Sequence, residues 1–307
     1  MFTENQLSEI KKLISPEKKV VIITHYNPDG DAIGSALGLK HFLNNMGVEP
    51  TVLAPNDFPK FLKWMPDAKK VVIAEYKRKT AGEAIYKADV IFCLDFNAHN
   101  RIGILGDWLM KSWAKKILID HHQQPEDFDY VYSDVTIPAT CQMVYHFIEA
   151  LGREDLVDQN VAECLYTGIM TDTGGFRFRS TSATTHRIVA NLIEKGANPA
   201  MITSNTWDTN SVSRLHLLSL ILGRIELVKD GKVAVLYLKR EELKEFGFEK
   251  GDTEGFVNYG LSIAGTKMAA FFMEDLHEDY IKISFRSKDD VDTNAFARAH
   301  FHGGGHI

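Results

Sequence analysis

The sequence predicts an α/β fold, in which an N-terminal domain with a parallel doubly wound sheet is followed by a smaller α+β C-terminal domain. Three observations predict it. Short apolar runs, typical of strands buried on both faces, alternate with helical segments in the first half of the chain. Strand candidates cluster in the last third. The length of 307 residues exceeds that of one average domain.

The elements of the first half follow from their patterns of apolar residues. Continuous apolar or β-branched runs predict strands at residues 20–24, 51–54, 71–74, 90–94 and 116–119. Apolar residues near helical spacing predict helices at residues 31–46, 140–151, 160–171 and 183–195. We expect the first domain to cover residues 1–195.

The second half predicts a different arrangement. Residues 201–222 have a helical pattern, so we expect a helical linker over residues 196–224. Strands are predicted at residues 233–238, 267–274 and 280–286, and a helix at 293–300 precedes the glycine run 303–305. We expect residues 225–307 to form the second domain.

Composition limits the classes of partner. The formal net charge is −6, which argues against binding long duplex nucleic acid, because that requires a broad basic surface. No apolar run resembles a signal peptide or a membrane helix, so no membrane partner is expected. Cys93, Cys141 and Cys164 form no CxxC pair, which indicates reduced thiols and a cytoplasmic protein.

The strongest chemical signal is the segment from His25 to Asp31, between the first strand and the first long helix. Pro28 and Gly30 favour a tight turn that could aim His25, Asp29 and Asp31 at one point. One imidazole and two carboxylates suit a divalent metal ion. The alternative is a polar loop with Asp31 as a helix cap, which leaves His25 and Asp29 unexplained.

Metal-type side chains also follow two later strands. Asp95 ends one apolar run, and the triplet Asp120, His121 and His122 ends another. Ligands of open α/β sheets bind beyond the carboxyl ends of the strands, so we expect these groups to meet at one edge. Asp172 ends a largely apolar helical stretch and is by itself more typical of a turn.

The number of candidate ligands exceeds the need of one ion. One octahedral ion takes about six ligands, some of them water, so this set favours two ions with a bridging carboxylate. Two such ions could polarise a phosphoryl group and activate water. Oxygen ligands with imidazole favour Mn²⁺, with Mg²⁺ or Co²⁺ as alternatives.

These motifs resemble those of the DHH phosphoesterase family, named for the triplet that is Asp120-His121-His122 here. The resemblance implies that His25, Asp29 and Asp95 hold one metal ion. It implies that Asp31, Asp95, His121 and Asp172 hold the other, with Asp95 as the catalytic bridge. It also implies that His122 is a catalytic residue that faces the substrate phosphate.

The last part of the chain resembles the DHH-associated substrate domain. The motifs that carry this resemblance are residues 255–258, 284–288 and 303–306. The resemblance implies that substrate is bound by Asn258, Arg286, Ser287, Gly303, Gly304, Gly305 and His306. Arginine can grip phosphate with two hydrogen bonds, and consecutive glycines can form an anion-binding nest.

The chain departs from the family pattern at its end. His302 stands where relatives commonly carry a further glycine. The resemblance implies that relatives usually continue after this motif with small residues and another helix, and whether this chain continues beyond Ile307 stays open.

Within the family, the two-domain layout is most similar to the nanoRNase and adenosine-bisphosphate phosphatase type. The expected function is two-metal hydrolysis of phosphate esters or phosphodiesters in very short oligonucleotides or small nucleotides. Alternatives are a phosphodiesterase for cyclic or linear di-AMP, a single-strand exonuclease, an exopolyphosphatase, and a nucleotide-sensing module without catalysis. The oligomeric state stays open, with a homodimer as one alternative.

Overall fold

The first part of the chain is organised by a six-stranded parallel sheet. The computed structural model describes residues 2–288, 291–301 and 303, and it divides into two compact units, Met1–Asp208 and Thr209–Ile307. The strands of the first unit are β1 (Val20–Ile23), β2 (Thr51–Ala54), β3 (Val72–Ile73), β4 (Val90–Leu94), β5 (Lys115–Asp120) and β6 (Tyr130–Ser133). They lie in the order β3-β2-β1-β4-β5-β6, and every pair is parallel.

Helices cover both faces of this sheet. They are α1 (Glu4–Leu13), α2 (Gly30–Asn45), α3 (Arg78–Lys87), α4 (Ile104–Lys111), α5 (Thr140–Ala150), α6 (Gln159–Asp172), α7 (Ala183–Glu194) and α8 (Pro199–Thr206). Val20 and Ile22 of β1 belong to the core with α2, α5 and α6, whereas Val21 and Ile23 belong to the core with α3 and α4. The predicted doubly wound sheet is confirmed, and the structure adds elements that were not predicted: the strand β6 and the helices α1, α3 and α4.

The second unit holds a mixed sheet. Its strands are β7 (Glu226–Val228), β8 (Val233–Leu238), β9 (Met268–Glu274) and β10 (Ile281–Ser287), in the order β10-β9-β8-β7. The β8–β9 pair is parallel, and the other two pairs are antiparallel. Its helices are α9 (Val212–Gly223), α10 (Arg240–Glu245), α11 (Phe256–Leu261) and α12 (Thr293–Phe301). The predicted smaller α+β domain is confirmed.

The helical segment predicted over residues 201–222 is interrupted in the structure. The segment forms two helices, because α8 ends at Thr206 and α9 begins at Val212. The hydroxyl of Ser211 accepts a hydrogen bond from the backbone N–H of Arg214 and so caps a new helix start. Helix α8 lies in the first unit, and α9 buries Leu217 and Ile221 in the core of the second.

Glycines allow α2 and α6 to pack unusually closely. Gly30, Gly34 and Gly38 recur every four residues on α2 and so share one helix face. A Cβ atom at Gly34 would lie 2.6 Å from the backbone oxygen of Cys164, and one at Gly38 would lie 2.5 Å from Leu165 Cδ2. No side chain fits between these backbones, so the two helices approach at the distance that glycine permits.

Among the helices of the described residues, none combines the length and the apolar character that crossing a bilayer requires.

Substitution of these glycines tests the close contact. Gly34→Ala is expected to lower the free energy of unfolding by about 1–3 kcal/mol, because the added methyl group collides with backbone. Gly82→Ala on α3 is the matched control, since its Cβ would meet Trp108 at an ordinary 3.7 Å. The control is expected to raise stability by about 0.5–1 kcal/mol. Urea denaturation measures both, and equal effects would contradict the contact.

Candidate metal centre

The carboxyl edge of the parallel sheet brings together the residues predicted as metal ligands. His25 follows β1, Asp95 follows β4 and His121 follows β5. Asp31 lies in the first turn of α2, and Asp172 is the last residue of α6. The sixth candidate, the helix cap Asp29, lies in the same loop as His25.

The first cluster contains His25, Asp29 and Asp95. His25 Nε2 lies 3.5 Å from Asp95 Oδ2 and 3.9 Å from Asp29 Oδ1. Asp29 is also the N-cap of α2, since its Oδ1 accepts hydrogen bonds from the N–H groups of Asp31 and Ala32 at 3.0 and 3.1 Å. Potential ligand atoms of the three residues lie within 4.8 Å of one another.

The second cluster lies around the other side of Asp95. His121 Nε2 is 3.4 Å from Asp95 Oδ1, 3.5 Å from Asp172 Oδ2 and 3.8 Å from Asp31 Oδ2. The two Asp95 oxygens therefore point to different clusters, Oδ2 to His25 and Oδ1 to His121. This is the geometry that a carboxylate bridging two ions requires.

Backbone carbonyls fix the orientation of both imidazoles. His25 Nδ1 lies 2.8 Å from the carbonyl of Tyr26, and His121 Nδ1 lies 3.1 Å from the carbonyl of Ile137. A carbonyl oxygen can only accept, so each Nδ1 carries the hydrogen that it donates. Each Nε2 is then the nitrogen that can bind a metal ion.

Two residues at the site have left-handed backbone conformations. Asp95 has φ +63° and Asn27 has φ +56°. Such conformations are sparsely populated for residues other than glycine and concentrate at functional sites. Two hydrogen bonds join Asn27 to Asn56. The backbone N–H of Asn27 donates to Asn56 Oδ1 at 2.7 Å, and Asn56 Nδ2 donates to Asn27 Oδ1 at 2.8 Å. This pair fastens the His25–Asp31 loop to the loop after β2.

The amino end of α5 holds two of the carboxylates. The N–H groups of Thr140 and Cys141 donate to the two oxygens of Asp31 at 2.6 and 2.8 Å. The hydroxyl of Thr140 donates to Asp95 Oδ1 at 2.9 Å. Sequence reasoning missed this role. A threonine at a predicted helix start signals only a cap, not which distant carboxylate it contacts.

The electrostatics of the site favour cations. Burial, together with the charge of Asp95, raises the pKa of Asp31 to about 7, and burial and the charge of Asp31 raise the pKa of Asp172 well above its usual value. Burial alone would lower the pKa of His121, but Asp95 and Asp172 outweigh it and hold that pKa well above its usual value. A divalent ion would compete with these protons for the same oxygens.

The donor set fits two hard or borderline divalent ions. It consists of carboxylate oxygens and imidazole nitrogens, and no cysteine belongs to a ligand group within the described residues. Four carboxylates, of which Asp31 and Asp95 are buried and Asp29 and Asp172 are partly exposed, outnumber the two imidazoles, so positive charge is needed to balance the cluster. The set is unlike a structural zinc site.

His122 has a different surrounding from His121. Its Nδ1 lies 2.7 Å from Oδ1 of the buried Asp120 and 3.8 Å from Asp95 Oδ1. The other oxygen of Asp120 has no hydrogen-bond partner among residues that the structure describes. Asp120 therefore orients the His122 ring, a role that the sequence did not assign.

The candidate substrate residues lie in the second unit. Asn258 lies on α11, and its buried Oδ1 has no hydrogen-bond partner within the described part of the chain. Arg286 and Ser287 end β10, where Arg286 is exposed and Ser287 Oγ donates to the carbonyl of Val291 at 2.6 Å. Gly303 follows α12. The predictions for Gly304, Gly305 and His306, and the departure at His302, lie outside the described residues.

Comparison with known proteins gives consistent matches. The model of the DHH family N-terminal domain matches residues 19–169, and the DHHA1 domain model matches residues 230–307. The bifunctional oligoribonuclease and PAP phosphatase NrnA of Thermus thermophilus is 30% identical over 98% of this chain and 85% of that protein. The protein of that name from Bacillus subtilis is 26% identical over 97% of this chain and 90% of that protein.

A solved structure gives a further match over the whole chain. The exopolyphosphatase-related protein from Bacteroides fragilis is 40% identical, with a TM-score of 0.95. The match covers 100% of this chain and 90% of that one.

Thr140 provides a test of the contact between α5 and the carboxylates. Thr140→Val keeps the shape and the backbone N–H but removes the hydroxyl that Asp95 accepts from. We expect a roughly 10–100-fold weaker Mn²⁺ affinity by titration calorimetry, as for other outer partners of metal ligands. Thr140→Ser retains the hydroxyl and should bind nearly as the parent does. An unchanged Mn²⁺ affinity of Thr140→Val would exclude a role of the Thr140 hydroxyl in the metal centre.

Proposed function

We infer the function from one premise, which is that this chain belongs to the DHH family. It is a metal-dependent phosphoesterase, and the observation that carries this conclusion is the pair of His–Asp clusters that share Asp95. Family membership explains why both clusters lie at the carboxyl edge of one sheet. A sensing module without catalysis would not need a complete bridged set.

We propose which residues hold each ion. His25, Asp29 and Asp95 hold the first ion, and Asp31, Asp95, His121 and Asp172 hold the second. The mixed oxygen and imidazole set favours Mn²⁺ over Mg²⁺ or Co²⁺. When bound, two such ions polarise phosphoryl oxygens and lower the pKa of a bound water to supply the nucleophile.

His122 is the proposed group that faces the substrate phosphate. Its Nδ1 donates to Asp120 Oδ1, so the Asp120 carboxylate fixes the orientation of the ring beside Asp95. Thr140 and the amino end of α5 keep Asp31 and Asp95 in place, so the ligands need little rearrangement during the reaction.

The proposed substrates are short oligoribonucleotides and small nucleotides such as adenosine 3′,5′-bisphosphate. The relatives named as oligoribonuclease and PAP phosphatase support this proposal. The net charge of −6 argues against long strands. A second candidate is polyphosphate, because the similar protein from Bacteroides fragilis is described as exopolyphosphatase-related. The cytoplasmic location stays a prediction, and the oligomeric state stays open, with a homodimer as one alternative.

Hydrolysis rates measured on a panel of phosphorylated substrates test this function. With Mn²⁺, we expect turnover of dinucleotides and adenosine 3′,5′-bisphosphate to exceed that of linear and cyclic di-AMP, a twenty-nucleotide strand, pyrophosphate and polyphosphate. Asp95→Asn should lose at least about 10³-fold in kcat, because the bridge serves both ions, while circular dichroism stays unchanged. Near-normal turnover by this variant at saturating Mn²⁺ would refute the bridging role. Polyphosphate as the best substrate would favour the second candidate.

Arg286 is proposed to bind a substrate phosphate remote from the scissile bond. Its side chain is exposed at the end of β10, and its guanidinium suits phosphate. Arg286→Ala should raise KM with kcat unchanged if the contact is equal in the ground and transition states. Arg298→Ala on α12 is the matched control, since Arg298 donates to Asn294 within its own helix. Unchanged kinetics for Arg286→Ala on every accepted substrate would exclude this role.

A further inference from the structure

A short basic segment follows β3. Tyr76, Lys77, Arg78 and Lys79 are consecutive and exposed, and Tyr76 has 68% of its surface accessible. Three adjacent cations are unusual in a chain whose net charge is −6. The neighbouring Glu75 is exposed as well, so the segment keeps a local excess of positive charge.

The sheet topology places this segment on the same edge as the metal centre. All strands of the sheet are parallel, so the end of β3 and the end of β1, where His25 follows, face the same way. Two strand spacings separate β3 from β1, a lateral distance of about 10 Å. About three stacked nucleotides, at about 3.4 Å each, cover that distance.

The positive charges of these three residues do not stabilise the amino end of α3. The helix begins at Arg78 without a capping side chain and without an acidic residue in its first turn. Positive charge at a helix amino end opposes the macrodipole. The sequence therefore keeps cations where the fold alone would favour Asp or Glu.

Further exposed groups lie along the same sheet edge, near the segment and near the metal centre. Tyr26, next to His25, is 52% exposed, and its N–H donates to the carbonyl of Arg101 at 2.8 Å. The Tyr26 ring lies beside Gly103, directly before α4. On α4, Trp108 lies 5.8 Å from the Arg78 guanidinium. Arg101 is exposed, as is the acidic Asp107 on α4.

We propose that Tyr76–Lys79, together with Tyr26 and Arg101, form a basic track that binds the part of a single-stranded oligonucleotide extending beyond the metal centre. Cations spaced along an edge neutralise successive phosphates, and exposed tyrosine rings stack bases of any sequence. The track rests on the proposed function and extends it. Substrates of three or four nucleotides reach the track, whereas adenosine 3′,5′-bisphosphate does not.

The test compares two variants with the same change of charge. Lys77→Ala/Arg78→Ala/Lys79→Ala removes the cations of the track. Lys11→Ala/Lys12→Ala/Lys111→Ala is the control, because these exposed residues end α1 and α4. Helix α1 leads into β1, and α4 runs back from the end of β4, so both helices end at the amino edge, away from the track.

The track variant should lose about fivefold to tenfold in kcat/KM on a tetranucleotide. The slope of log(kcat/KM) against the logarithm of the salt concentration should become less negative by about 1.4, which corresponds to two lost phosphate contacts. Hydrolysis of adenosine 3′,5′-bisphosphate should change less than about twofold, because distant sites act independently. The Tm should stay equal or rise, since charges opposing the dipole are removed. Equal losses of kcat/KM on both substrates, or the same loss in the control variant, would contradict the proposal that these residues bind the oligonucleotide.

Two further measurements identify the ligand and separate the hypotheses. Tyr76→Ala should weaken tetranucleotide binding but leave inorganic polyphosphate binding unchanged, because only the oligonucleotide has bases to stack. Equal weakening of both would overturn the base-stacking role. Binding of a fluorescent tetranucleotide, measured by anisotropy in EDTA, does not depend on turnover. Track-dependent binding without hydrolysis of any substrate would refute the proposed function and support the track.

Discussion

The close approach of α2 and α6 is the constraint on which the metal centre depends. Asp31 belongs to the first turn of α2, and Asp172 ends α6, so the distance between these helices sets the distance between the two carboxylates. Glycine at position 34 lets one backbone lie against the other. A side chain there would separate the helices and move Asp172 away from His121. The close packing of α2 against α6 is therefore required for the geometry of the metal centre.

The same closeness creates an electrostatic problem that the surrounding structure compensates. Buried carboxylates repel one another and lose hydration, which explains the raised pKa values of Asp31 and Asp172. Backbone N–H groups at the start of α5 stabilise Asp31, and the Thr140 hydroxyl stabilises Asp95. These neutral donors offset only part of the repulsion. The remaining negative charge is what makes the cluster selective for cations of high charge.

Net charge and local charge describe different properties of this protein. A value of −6 disfavours long polyanions as a class, yet it does not exclude a short run of cations at one sheet edge. The Lys77–Lys79 run is placed by the topology of a parallel sheet, whose strand ends share one side. An edge of this kind can combine carboxylates that bind metal ions with cations that bind phosphates. The two sets of charges do not neutralise each other, because the cations are exposed at the surface and Asp31 and Asp95 are buried.

The sequence by itself determined most of the strands and the sheet edge at which the candidate ligands lie. Apolar runs such as Val90–Leu94 are local signals, and the rule that parallel strands end on one edge converts them into a site. Only the tertiary structure decided which oxygen of Asp95 faces which histidine, that Asp120 orients His122, and that Thr140 contacts Asp95. It also decided the break between α8 and α9. The physical reason is distance along the chain: Asp95 and Thr140 are 45 residues apart, and no local pattern encodes a contact of 2.9 Å between them.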